Sequence, residues 1–277
     1  MSIMFNVHVI SLKRSDRRES IGKVLTDQNV PFTFEDAFDA RVISDSEFGM
    51  LYDDDSARSR YGRSLSRAEV ACFISHREVW KKIAESGHGA VVLEDDALLE
   101  SAFFERVLLV SDEQLASITE VVLLGRSKLR RASATRTYFY EPLKRVDVVD
   151  SMRIGVPFKQ WTSGAVGYWI SARGARLALA HTNGRVKALL DDWPWHRDHG
   201  GMRVKELRPY AVWEGFEIME SSIEADRRAL TSLRASWHEI LLKPLRICRT
   251  CVRWMVIFML SVVARRSTSH MRAAKYE

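Results

Sequence analysis

Four apolar residues, Ala90-Val91-Val92-Leu93, run directly into three carboxylates, Glu94-Asp95-Asp96. The apolar run reads as a buried strand, so the acids stand at its C-terminal edge. Adjacent carboxylates repel one another and lose solvation poorly, whereas hard oxygen ligands of this kind suit Mg²⁺ or Mn²⁺. Side chains alternate along an extended chain, so Glu94 and Asp96 are expected on one side and Asp95 on the other. Two of the three could then share one divalent cation. The structural alternative is a solvated acidic turn in which Asp95 or Asp96 caps a following helix. A second acidic pair, Asp191-Asp192, precedes Trp193-Pro194-Trp195. Arg14, Arg17 and Arg18 gather cations just after the first apolar segment, where they could meet phosphate oxygens. Glu69 and His76 are seven residues apart, which puts both on one face of a helix.

These groups need elements to hold them. Residues 7–12 read as an opening strand, followed by a helix to about residue 29 that Ser15 or Asp16 can cap. Residues 32–37 form a second short strand, and this strand, helix, strand order suggests a parallel α/β sheet. Residues 41–64 are polar and read as an ordered loop or short helices. Ser66-Arg67-Ala68-Glu69 has capping-box spacing and starts a helix that Gly87 ends, just before the acidic strand. Further expectations are a helix over 103–118, strands at 121–125, within 138–149 and at 164–171, a helix over 172–181, and a last strand over 204–212. The small residues of 164–171 allow close backbone approach.

The chain has 277 residues, 46% apolar and 28% charged, enough for one large domain or two small ones. Net charge is +6, but residues 227–277 hold eleven Lys and Arg against Glu239 and Glu277. The tail therefore carries +9 and the rest −3, which argues against a nucleic-acid-binding core. Three cysteines make no disulfide framework, and Cys248-x-x-Cys251 lacks the second pair of a zinc finger. The N-terminus reads as a first strand rather than a signal sequence. The longest apolar run, 254–264, is about half of the roughly 20 residues a spanning helix needs.

Several of these pieces together resemble glycosyltransferase family 25, the bacterial lipooligosaccharide transferases. They are Val9-Ile10-Ser11-Leu12-Lys13-Arg14 with Arg17-Arg18, Leu65 through His76 with Trp80, Leu93 through Asp96, and Gly164 through Ser171 with Gly174-Ala175. The resemblance covers roughly residues 5–225 in the family's order. Ala68-Glu69 departs from the Gly-Glu usual in that helix start, and Leu189-Leu190-Asp191-Asp192 replaces a Pro-hydrophobic-Asp element, leaving the matching acid open. The implied fold is GT-A-like, an open, mostly parallel α/β sheet flanked by helices. The implied activity is transfer of a hexose, often galactose, from a UDP-sugar to a lipooligosaccharide acceptor.

On that reading Mn²⁺ or Mg²⁺ stabilises charge on the departing diphosphate, with Asp96 the first-choice ligand and Glu94 the second. Asp95 would hold the ribose or an acceptor hydroxyl. Ile10, Ser11 and Leu12 would hold base and ribose, and Arg14, Arg17 and Arg18 the phosphates. Inversion needs a base, for which Asp191 and Asp192 are candidates, Asp192 slightly preferred. Glu69 and His76 are further catalytic candidates, and Trp161, Trp193 and Trp195 could stack on sugar faces. The expected division is a catalytic domain over 1–225 and a basic helical tail over 226–277. Residues 237–266 mix apolar and basic side chains like an interfacial helix pair broken near Pro244. Each basic residue near anionic lipid contributes about 1 kcal/mol. The tail would dock a cytoplasmic enzyme on the inner face of the bacterial inner membrane, beside a lipid-linked acceptor. The alternative is a non-catalytic nucleotide-sugar or glycan-binding protein docked by the same tail.

Overall fold

The computed structural model describes residues 5–158, 164–215 and 243–273. Strand β1 (Asn6–Ser11), helix α1 (Asp16–Asp27) and strand β2 (Phe32–Asp36) open it, with β1 and β2 parallel. The polar stretch folds into helices α2 (Asp45–Leu51) and α3 (Asp54–Tyr61). Helix α4 (Arg67–Ser86) follows. The Ser66 side chain takes the Glu69 N–H and the Glu69 carboxylate takes the Ser66 N–H, and Gly87 closes the helix at φ 77°. Strand β3 (Ala90–Glu94) then runs parallel to β1.

Beyond β3 come β4 (Ala97–Leu99), α5 (Ser101–Glu105) and α6 (Asp112–Ile118). One helix was expected over 103–118. Ser111 instead starts α6 with its own capping box to Gln114, and a short 3₁₀ helix (Val107–Leu109) lies between the two helices, with Val107, Leu108 and the following Val110 buried. Next are β5 (Val121–Leu123), β6 (Gly125–Arg126), α7 (Ala134–Tyr140), β7 (Leu143–Val149), β8 (Met152–Pro157), β9 (Gly167–Ile170), α8 (Ala172–His181) and α9 (Trp193–Gly200). The expected strand over 204–212 is two, β10 (Val204–Arg208) and β11 (Val212–Glu214). Pro209 between them has no N–H to continue a ladder.

Eight strands form one sheet in the order β2-β1-β3-β9-β5-β10-β8-β7. It is the expected open α/β sheet, but mixed: β9 runs antiparallel to both β3 and β5, and β8 antiparallel to β10. Alternation along β3 divides the interior. Val91 and Leu93 join a core with Val9, Leu25, Phe103 and Leu115, while Ala90 and Val92 join one with Phe73, Trp80, Tyr168 and Ala175. Because both faces are covered, β5, β9 and β3 up to Leu93 are free of charged residues. Small residues Ala175 and Ala178, both fully buried, are the α8 members of the core shared with α4.

A second, three-stranded sheet, β4-β11-β6, stands at the edge where the acids emerge. Its register sets Glu214 opposite Ala97, and the Gly215 N–H donates to the Asp96 carbonyl at 2.9 Å. Gly167 permits this layering: a Cβ there would lie 2.8 Å from Val212 Cγ1.

Helix α10 (Lys243–Ala273) is continuous, with Pro244 in its first turn, where a missing N–H costs nothing. The segment before it, including the first half of the expected helix pair, lies outside the described residues. Arg253 donates to the Tyr140 carbonyl at 2.8 Å and Trp254 Nε1 to the Phe139 carbonyl at 3.1 Å, so α10 touches α7. Leu245, Ile247, Val252, Met255, Phe258, Met259 and Leu260 are exposed. Among the described residues, no helix is long and apolar enough to cross a membrane.

Candidate active site

The chain leaves β3 at Glu94 and turns through Asp95 and Asp96 before β4. Asp95 Oδ2 accepts the hydroxyls of Ser11 at 2.7 Å and Ser15 at 2.8 Å. Ser15 occupies the N-cap position of α1, but its side chain makes no cap hydrogen bond because it serves Asp95 instead. Asp95 thereby ties the end of β1 and the start of α1 to the acidic turn. Arg17, in the first turn of α1, brings its guanidinium to 3.7 Å from Asp96 Oδ2 and 4.0 Å from Asp95 Oδ1.

Glu94 and Asp96 face other acids. Glu94 feels Glu214, Asp191 and Asp95, and Asp96 feels Glu94 and Glu214. Burial first, and then this mutual repulsion, push both carboxyls up to about 8. The Arg17 guanidinium opposes the rise at Asp96. Asp96 Oδ1 is buried and finds no hydrogen-bond partner among the described residues. Asp191 is anchored by the Gly164 N–H at 3.1 Å, and Glu214 by the Lys128 N–H at 2.6 Å. Gly164 sits at φ 125°, a conformation reserved for glycine, and a Cβ there would run into the Ser127 backbone. A cavity of about 130 Å³ is lined by Glu69, Cys72, Glu94, Lys128, Asp191 and Glu214 among others. That is below the roughly 300–1,000 Å³ of a whole small-molecule site.

The donor types here suit a hard divalent cation; Glu94, Asp191 and Glu214 line the cavity, and Asp96 stands outside its lining. The set offers several carboxylates, one orphaned buried oxygen, and repulsion that only a proton or a cation relieves.

Other expected site residues are engaged by partners of their own, Glu69 while still lining the cavity. Asp192, the preferred base, is fully buried and is absent from the cavity lining. It caps α9 through the Trp195 N–H at 3.1 Å, accepts the Tyr61 hydroxyl at 2.7 Å and pairs with the Arg60 guanidinium. Its oxygens are committed to these structural partners, whereas Asp191 lines the cavity. Glu69 is held by the Arg63 guanidinium at 2.7 and 2.8 Å besides its capping box. His76 is fully buried, with Nδ1 2.8 Å from the Tyr168 hydroxyl, and does not line the cavity. Arg18 turns to Asp36 at 2.6 Å and lies over the Phe34 ring, and Arg14 is exposed.

Of the first-strand positions, Ile10 packs in the α4 core. The Ser11 carbonyl accepts from Ala37, and the Leu12 carbonyl from Ser15. Trp193 is core, its indole N–H on the Gly164 carbonyl at 3.0 Å. Trp195 instead lines a separate surface cavity of about 530 Å³ with Arg60, His181, Lys187 and His199. Trp161 lies outside the described residues. Sequence reading missed Glu214. The only signal was an acid ending a short apolar strand, and the two acids it joins at the β3 edge, Glu94 and Asp96, are 120 and 118 residues away in the chain.

The family model described as "Glycosyltransferase family 25 (LPS biosynthesis protein)" matches residues 4–191. Procollagen galactosyltransferase 1-B of Xenopus laevis is 33% identical over 181 residues, 62% of this chain and 28% of that protein. Procollagen galactosyltransferase 2 of Homo sapiens is 28% identical over 177 residues, 61% of this chain and 26% of that protein. Inactive glycosyltransferase 25 family member 3 of Homo sapiens is 31% identical over 185 residues, covering 63% and 28%. The match thus spans under a third of each relative's length.

Proposed function

The chain belongs to glycosyltransferase family 25, and on that premise we propose that it transfers galactose from a UDP-sugar to a glycan acceptor with divalent-metal assistance. The observation that carries the reading is the meeting of Glu94, Asp96, Asp191 and Glu214 at one strand edge, with Asp96 Oδ1 buried and unpartnered. Asp96 and Glu94 would hold Mn²⁺ or Mg²⁺, which when bound supplies Lewis-acid stabilisation of the leaving diphosphate. Arg17, at the α1 start, is placed to attract phosphate oxygens at the same edge. Asp95 fixes the β1 end against the acidic turn and so shapes the place proposed for the nucleoside. Asp191, aimed by the Gly164 N–H, takes the proton from the acceptor hydroxyl as that oxygen attacks the anomeric carbon. The small cavity takes the reacting end of the donor, not its whole length.

The acceptor proposed is a lipid-linked oligosaccharide at the inner face of a bacterial inner membrane. What supports it is α10: exposed Leu245, Ile247, Phe258, Met259 and Leu260 lie among exposed Arg246 and Arg249. The proposed division of labour is catalysis by 1–225 and docking by 226–277. A second reading, a non-catalytic binder, draws on the resemblance to a human relative named as inactive. Purified chain incubated with UDP-galactose and Mn²⁺ separates them. Release of UDP, lost in Asp96→Ala with the fold retained, supports the enzyme, and no release at any metal concentration supports the binder.

A further inference from the structure

Next to the acids, on the α4 side, is a donor set of different character. Cys72 and His76 are four residues apart on α4 and so share a face. Their ligand atoms and one Glu94 oxygen all lie within 4.8 Å of one another. Cys72 Sγ is 3.8 Å from Glu94 Oε1, and His76 Nε2 is 3.4 Å from the same oxygen. Tetrahedral zinc with one sulfur, one nitrogen and one oxygen ligand needs separations of roughly 3.3–3.6 Å. The two edges through Glu94 are therefore preformed to within a few tenths of an ångström.

His76 supplies the second, independent observation. The residue is wholly buried, and Nε2 has no hydrogen-bond partner among the described residues. Its other nitrogen, Nδ1, is 2.8 Å from the Tyr168 hydroxyl, which also accepts the Trp80 indole N–H at 2.8 Å. In the tautomer the site requires, Nδ1 carries the proton and donates to the Tyr168 oxygen, and Nε2 presents its lone pair to the Cys72–Glu94 gap. Imidazole ligands are generally oriented through their second nitrogen in this way. An entry path exists too, because Cys72 and Glu94 both line the cavity.

We propose that Cys72, His76 and Glu94 form a site for a zinc-class cation, distinct from the all-oxygen cluster centred on Asp96. Thiolate and imidazole select a borderline-soft ion such as Zn²⁺, whereas Mg²⁺ or Mn²⁺ takes the carboxylates. On binding, metal–sulfur, metal–nitrogen and metal–oxygen bonds form. The Cys72 thiol proton, with any proton on Glu94, passes to solvent, and no oxidation is involved. The ion draws Glu94 to the α4 side, away from Asp191 and Glu214. Zinc and the hard cation would thus compete for one carboxylate.

Co²⁺ reports thiolate ligation by a charge-transfer absorption band in the near ultraviolet. The titration uses the full chain with Cys248→Ser and Cys251→Ser, since that exposed pair on α10 could bind metal by itself. The expected result is a band saturating at one equivalent, bleached by one equivalent of Zn²⁺, lost in Cys72→Ser and retained in Asp96→Ala. Circular dichroism verifies that each variant is folded. A missing band in the Cys72-containing protein, its survival in folded Cys72→Ser, or its loss in folded Asp96→Ala would each overturn the proposal. Because donor turnover is not read, failure of the galactosyl-transfer reading would leave this result standing.

Discussion

Asp191 and Asp192 are adjacent in sequence and opposite in circumstance, so substituting each in turn tests the site directly. Asp192→Ala removes the α9 cap, worth about 1 kcal/mol. It also removes the carboxylate that pairs with the Arg60 guanidinium, whose side chain keeps 30% exposure. That exposure reduces the roughly 3–5 kcal/mol cost of breaking a fully buried pair to about 2 kcal/mol. Losing the buried Tyr61 hydroxyl contact costs about 1 kcal/mol more. The total, about 4 kcal/mol, lowers Tm by roughly 8–16 °C for a domain of this size. Asp191→Asn, by contrast, keeps an oxygen to accept the Gly164 N–H, so Tm stays within about 2 °C. Its kcat falls by about 10²–10⁴, the usual worth of a general base. The assay is UDP release at a temperature where both variants are folded, beside thermal melts. If Asp192→Ala melts like the wild type, or loses as much kcat as Asp191→Asn while folded, the assignment of these two acids is wrong.

Asp96→Ala should abolish metal-dependent UDP release with the circular dichroism spectrum preserved; an unfolded variant would assign Asp96 to structure. Glu94 and Asp96 titrate near 8 in the folded chain and near 4 when unfolded, so the fold binds their protons more tightly. Their stabilisation of the metal-free chain is complete below about pH 4 and is lost as pH rises to about 8. The Tm gain from a fixed Mn²⁺ concentration should therefore grow between pH 6 and pH 8, and a gain independent of pH would contradict protonation of the cluster. Gly167→Ala should cost about 1–3 kcal/mol by forcing Val212 and Leu93 apart, read as a lower urea midpoint. Deleting residues 234–277 should release the protein from anionic vesicles in a flotation assay while donor hydrolysis persists; unchanged flotation would remove the membrane role from the tail.

Much of the scaffold follows from local rules. The capping box at Ser66 and Glu69 and the glycine at 87 bound α4 to the residue, because caps are decided within one turn of chain. The run 90–93 gives a buried strand and places the acids at its end, because both faces of that strand are covered. Family membership was also legible, because the pieces that carry it stand in a fixed order along the sequence. Local rules reached their limit where partners are distant in the chain. Ser15 has the residue type of a helix cap, yet its hydroxyl is taken by Asp95, 80 residues on. Asp192 has the same chemistry as Asp191, but burial against Arg60 and Tyr61 makes one structural and leaves the other at the cavity. Glu214 joins the acids only because β11 pairs with β4. Residue type and spacing set which elements form and which chemistry is available. Whether a given carboxylate meets solvent, a cation or a guanidinium depends on burial and on neighbours brought in by the sheet, and the tertiary structure alone decided that.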